Sequence, residues 1–432
     1  MIENNANTVL AMERIYFEDP TEWEDYLFDS TEYAMELERR NPVLEGVVER
    51  LQQLGVQVGE EDKKTIVKEL HARYIDMGIK DGIPKAVKNW LAGTPVNPAY
   101  RENLYNLCLS LGMNEDETRV FFLKRYMTIP FNYKNRIDAV YYFGIRHGRN
   151  YLQIRDLLLE ADVLDFEDAR DTVLTQEVCQ DITEIEDDKI FMEYLRVHSF
   201  GKHTQFQTAN NELEELGRKN AQLATVERRL KHYLTRDKRR EDGSSYDELK
   251  LIKQGKENEH VDYKLLLYII YGFDNQERYK QKKTKIAKCE YLPKMFRENF
   301  PNDQEFARIS MRDASPEVYR KALVIMKFYN FFCSGMINFL YGKSNPEDDE
   351  SVINTMDEYL DRDPDEINED LDDFYYETSA LLAKCGFVQL YARNPFDWLI
   401  LYCAKSTDPM DTLRELLTVR YTDPLIPDER DI

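Results

Sequence analysis

The chain reads as an all-α, multi-helical protein, and three observations carry that expectation. Only 17 glycines and 15 prolines occur among 432 residues, too few for many short strands joined by tight turns. Runs of alternating Val and Thr are scarce, and apolar residues recur instead three and four apart, the repeat of a helix with one buried face. Helix-start signals, in which Asn or Asp precedes Pro, recur at Asn97-Pro98, Asn394-Pro395 and Asp408-Pro409.

Taken in order, the arm to Asp62 holds 16 acids and 4 bases. Trp23, Tyr26, Leu27, Tyr33 and Leu37 interleave with its carboxylates, as in a docked amphipathic helix. Pro42 opens a helix with apolar positions 44, 47, 48, 51 and 54 on one face. Asn97 as cap and Pro98 at the first position predict a further helix, with Tyr100, Leu104, Leu107, Cys108 and Leu111 as its apolar stripe. Gly112 ends it. Asn114 caps the next, Glu117 completes a capping box, and Phe121, Phe122 and Tyr126 supply the buried face.

From Tyr151 to Gly217 the pattern stays helical. Residues 218–297 carry 21 Lys/Arg against 12 Asp/Glu and predict a long charged helix over Arg218–Arg240, a Gly243 loop, further helix to Tyr271 and a lysine-rich connection at 280–285. Ala322–Tyr341 is apolar but interrupted by Lys327, Asn330 and Asn338, which predicts a helix buried in protein rather than in lipid. Residues 345–377 hold 15 acids and one base, Arg362, and Asn345–Asp373 is expected to be an acidic loop. No fixed-period repeat is evident. The expected organisation is an acidic helical arm over 1–62, a helical domain over 63–150, a helical region with the basic segment over 151–297, and a C-terminal helical domain over 298–432.

Composition sets the outer bounds. Charged residues at 32% and hydrophobic ones at 42% describe a globular protein. The six cysteines are scattered without paired spacing, and no basic start with an apolar run precedes them, so a reducing cytoplasm is the expected compartment. The net charge of −23 opposes nucleic-acid binding on its face. Charge is segregated, however, because the basic segment sums to +9 and the remainder to −32.

One stretch points at a class of activity. It runs through Thr65-Ile-Val-Lys-Glu-Leu70, then Ile83-Pro-Lys-Ala-Val-Lys-Asn-Trp-Leu-Ala-Gly93, then Pro98 to Gly112. A short helix, a turn, a helix ending in Trp-Leu-x-Gly and a Pro-started helix ending in Leu-Gly resemble the lambda-repressor-like (XRE-type) helix-turn-helix over residues 63–127. The turn differs from the family's usual form, since five residues, Ile79 to Ile83, separate Gly78 from Pro84. The resemblance implies a regulator that reads double-stranded DNA with the helix from Pro84 to Leu91 in the major groove, and a two-fold dimer. Val87, Trp90 and Leu91 would then pack inward. Lys85, Lys88 and Asn89 would reach bases and phosphates, with Arg101 and Lys63 at the backbone.

Little else carries chemistry. His198 and His203 are five apart, which does not put both on one helix face, so no metal site is expected. Arg196 with His203 loosely matches the pattern of helical ribonucleases, and Glu248-x-Lys250 a nuclease pair without strand context. No phosphate-binding glycine loop or nucleophile motif occurs, so no catalytic residue and no cofactor is assigned. Two other classes stay open: a helical protein-interaction scaffold that binds a partner protein, and a nucleic-acid-processing enzyme.

Overall fold

The computed structural model describes residues 36–37, 39–97, 100–133, 135–164, 175–198, 206–235, 261–272, 295, 299–311, 314–344 and 349–422. Among them the fold is all-α, with no strand. In chain order the helices are α1 (Pro42–Gln53), α2 (Lys63–Asp76), α3 (Lys85–Leu91), α4 (Arg101–Ser110), α5 (Glu115–Phe121), α6 (Arg136–Arg146), α7 (Tyr151–Asp162), α8 (Thr175–Glu184) and α9 (Asp188–His198). There follow α10 (Gln207–Thr235), α11 (Tyr263–Ile270), α12 (Asp303–Ser310), α13 (Pro316–Lys343), α14 (Asp349–Leu360), α15 (Pro364–Lys384), α16 (Pro395–Ala404) and α17 (Pro409–Thr422). A π-helical turn, Phe122–Tyr126, continues α5.

Two apolar cores divide these helices. The first is built from α1 to α9, with Val47, Leu70, Val87, Leu107, Phe122, Val140, Ile154 and Phe191 among its members. The second takes in α10 to α17, together with Leu37 and Leu123 from the N-terminal side. The cores part between residues 198 and 206, so helices of the expected 151–297 region are shared between them. Of the expected acidic arm, α1 is an integral part of the first core.

Local sequence explains the helix starts. Asn41 accepts the Leu44 N–H and Pro42 follows at the first position. Asn114 and Glu117 close the expected capping box of α5, and Asn150 with Gln153 closes another on α7. Asn394 caps α16 ahead of Pro395, and Asp408 accepts the Asp411 N–H as α17 begins. Gly46 on α1 matters for packing: a Cβ there would lie 2.7 Å from the Phe121 ring and 2.8 Å from the Arg125 stem. Its bare backbone lets α1 meet α5 and the π turn closely.

Two expectations are corrected. Helix α4 has Arg101 as its first residue and Tyr100 as its cap, not Asn97, whose carbonyl takes a turn bond from the Tyr100 N–H; Pro98 lies outside the described residues. The acidic stretch expected to be a loop is mostly helical where it is described, as α14 and the start of α15, with a short non-helical link over 361–363. The reason lies in Asp363-Pro364, where Asp363 accepts the Asp365 and Glu366 N–H groups. Its carboxylates thus gather in the first turn of α15, where a helix dipole favours them.

The long helix α13 runs through the middle of the second core, against α10, α12, α14, α15, α16 and α17. By length and composition it is the one described helix apolar enough to cross a membrane, and 56% of its most apolar window is buried inside the fold. Burial against its own neighbours accounts for that apolar character.

Candidate nucleic-acid interface

Helices α2 and α3 present the candidate interface, and the turn between them sets their relation. Gly78 has φ +98° and Gly82 φ +65°, values that favour glycine at both. The Ile79 N–H returns to the Tyr74 carbonyl and closes the end of α2. At Gly82 a Cβ would fall 2.1 Å from the His71 ring, so the α2 imidazole rests on the bare backbone of the turn. Ile83 is buried beyond it, and α3 starts after Pro84 in extended conformation.

Helix α3 divides as its spacing predicts. Val87, Trp90 and Leu91 are buried, at 3% exposure or less. Lys85, Lys88 and Asn89 are exposed on the opposite side. Its far end is held by a residue that sequence reasoning missed. Asn41 donates through Nδ2 to the Trp90 and Leu91 carbonyls, at 2.9 and 3.2 Å, while its Oδ1 caps α1. One side chain thus fixes the start of α1 and the end of α3. Asn before Pro signals the first role; nothing local signals the second, 49 residues away.

Helix α2 buries Ile66, Leu70 and Tyr74, and turns Lys64, Lys68, His71 and Ile75 outward at helical spacing. Lys63 at its start and Lys80 in the turn are exposed as well. Among the described residues none of Lys63, Lys64, Lys68, Lys80, Lys85 and Lys88 has a salt-bridge partner. Residues 63–97 hold seven Lys/Arg and three Asp/Glu, a local balance of +4 within a chain of −23.

Arg101 does not belong to this surface, and its expected backbone role is corrected. Its side chain is 14% exposed and faces Asp138, which is 2% exposed. Nε donates to one Asp138 oxygen at 2.7 Å, Nη2 to the other, and Nη2 also to the Ile129 carbonyl at 2.8 Å. The guanidinium further lies 5.2 Å from the Phe122 ring centroid. Burial lowers the pKa of such a group, but the Asp138 charge outweighs it and holds Arg101 firmly cationic. Its donors are spent on holding a loop, so phosphate contact is left to the lysines.

The remaining candidates resolve differently. Arg196 bonds Glu193 one turn back on α9, and His203 lies outside the described residues. Glu248, Lys250 and the lysine-rich 280–285 connection lie outside them too. Among the described residues no group of three or more His, Cys, Asp or Glu side chains is arranged to hold a metal ion. No family model matches the chain, and neither does any curated protein or solved structure.

Proposed function

We propose that the protein binds double-stranded DNA through α2 and α3 and acts as a transcription regulator, with its second unit serving as a sensing or oligomerisation module. The observation that carries this is the set of six exposed lysines without acidic partners, gathered on 26 residues of a strongly acidic chain. Like charges held together without partners repel one another, and a polyanion relieves that repulsion. Phosphates displacing bound counterions add a favourable, salt-sensitive term. Asn89 beside Lys85 and Lys88 supplies the bidentate amide that suits adenine, and lysine suits guanine or phosphate.

Selection from a pooled genomic DNA library, at low and moderate salt, tests the proposal. Sequence-selective enrichment by the wild-type chain is expected, and its loss in Lys85→Ala/Lys88→Ala/Asn89→Ala. The log–log salt slope should fall by about 2 in that variant, at roughly 0.9 for each phosphate no longer neutralised. No enrichment at either salt sinks the reading.

A protein-interaction role is the second reading, and one observation favours it. Leu152, Leu159 and Val163 stand exposed on and just after α7, at 41%, 58% and 81%. Apolar side chains aligned on one face mark surfaces that meet other proteins. A chain that ignores DNA but associates through this row would move the assignment there.

A further inference from the structure

The Arg101–Asp138 site has a second copy 259 residues further on. In the first, Asn135 caps α6 by accepting the Ile137 and Asp138 N–H groups. In the second, Asn394 caps α16 by accepting the Phe396 and Asp397 N–H groups. The Asn132 N–H donates to Asp138 Oδ2 at 2.9 Å, and the Tyr391 N–H donates to Asp397 Oδ2 at 2.9 Å. The Asn135 N–H returns to the Asn132 carbonyl at 2.7 Å, and the Asn394 N–H to the Tyr391 carbonyl at 2.7 Å.

The arginines correspond as well. Arg101 grips Asp138 and the Ile129 carbonyl; Arg320 grips Asp397 through both Nη atoms at 2.7 Å and the Val388 carbonyl through Nε at 2.9 Å. Val388 stands to Asp397 as Ile129 stands to Asp138, nine residues earlier in each. The larger frame agrees: the arginine-bearing helices α4 and α13 pack on α6 and α16, which pair with α7 and α17. Four hydrogen bonds at one register, an arginine clamping the same carboxylate and the same carbonyl position, and the same helix packing make this one design used twice.

The two copies also touch. Met127 Sδ, at the start of the first loop, lies 3.4 Å from Asn394 Nδ2, the cap of the second. The Ile129 side chain packs against the second core although its carbonyl is held by Arg101 in the first. Leu123 belongs to the second core outright. Arg393, next to the cap, attracts the Glu45 carboxylate of α1. The first loop is also the strained one: Met127 and Phe131 are the only described non-glycine residues at positive φ, both at 53°.

We propose that the two clamped loops form a paired joint that fixes the N-terminal unit on the C-terminal one, so that loosening either clamp loosens both loops. The arrangement explains why charged pairs are kept at sites where apolar residues would pack: each guanidinium must hold a carboxylate and a loop carbonyl at once. It also explains where the strain is tolerated, since the bonds at Ile129, Phe131 and Asn132 over-determine that backbone.

Hydrogen exchange on the full chain tests the joint, with the Asn132 and Tyr391 amides as equivalent reporters. In Asp397→Asn both amides should exchange at least about tenfold faster, while α2 and α3 keep their protection. Acceleration at Tyr391 alone, with Asn132 unchanged, overturns the joint. Should that variant fail to fold, Met127→Gly decides the question, because glycine suits φ 53° and both clamps remain. Faster exchange at Tyr391 is expected there; an unchanged Tyr391 amide overturns the proposal.

Discussion

Within the N-terminal unit, two sets of cationic side chains have opposite roles. Three arginines look inward: Arg50 bonds Glu117 and the Leu111 carbonyl, Arg101 bonds Asp138 and the Ile129 carbonyl, and Arg125 bonds Glu45 and Glu49. Lysines of α2, the turn and α3 look outward and bond nothing among the described residues. The physical chemistry of the two side chains fits the division. A planar guanidinium holds two partners in fixed geometry at the cost of little hydration, whereas an ammonium is a strongly hydrated point charge suited to an open face. Positive charge in this chain therefore means scaffolding at one place and availability at another, and each role has its own test.

The largest effect should come from breaking the inward set. Asp138→Asn leaves the Arg101 charge buried without its carboxylate, a loss of about 3–5 kcal/mol. Urea denaturation should show a much lower midpoint at unchanged slope. A loss below about 1 kcal/mol would mean that water or another acid takes over, and would remove the distinction between the two sets. Replacing Lys85 or Lys88 with alanine should leave stability within about 0.5 kcal/mol, as expected of exposed groups without partners.

Asn41→Ala is the next step down, with an expected loss of about 1–2 kcal/mol for the missing α1 cap and the two freed α3 carbonyls. Because Asn41 ties α1 to the end of α3, the Trp90 and Leu91 region should lose exchange protection before the rest of the unit. A uniform loss across the first core would assign Asn41 to the cap alone.

These two residues show what is legible in the sequence and what is not. The division of α3 into Val87, Trp90 and Leu91 inside and Lys85, Lys88 and Asn89 outside follows from spacing, because a helix repeats every 3.6 residues. The caps at Asn114, Asn394 and Asp408 are legible for the same local reason. Arg101 is hidden because its partner Asp138 lies 37 residues away, and nothing in the pattern near Arg101 distinguishes an inward guanidinium from an outward one. The duplicated clamp is hidden too, because it repeats a bonding register, Asn-x-x-Asp with a backbone amide six residues before the Asp, on side chains that otherwise differ. The acidic stretch resembles a loop only while its charge density outweighs the Asp363-Pro364 start signal.

Acid should probe the inward set more gently. Burial raises the Glu45 pKa, but the Arg40 hydrogen bond and the charges of Arg40, Arg125 and Arg393 outweigh it and hold the carboxyl below its ordinary value. A depressed folded-state pKa contributes stability above the unfolded value, near about 4.3, that is lost as pH falls through the folded one. Glu45→Gln should therefore differ from wild type at neutral pH and converge with it in that acidic window. A difference that persists well below about pH 3 would mean that the side chain acts by packing.

The smallest effect sharpens the boundary between the sets. Arg73 is the one arginine of α2, and it bonds Glu69 one turn earlier, at 2.9 Å with both side chains partly exposed. Glu69→Gln should cost no more than about 0.5 kcal/mol, the usual worth of such a helical pair. It also frees a guanidinium and removes a negative charge beside Lys68. If the α2 lysines contact phosphate, this variant should bind DNA more tightly at low salt and lose the gain as salt rises, since exposed charges are screened beyond about 10 Å at roughly 0.1 M. Unchanged affinity at every salt would place α2 outside the contact and confine the footprint to α3.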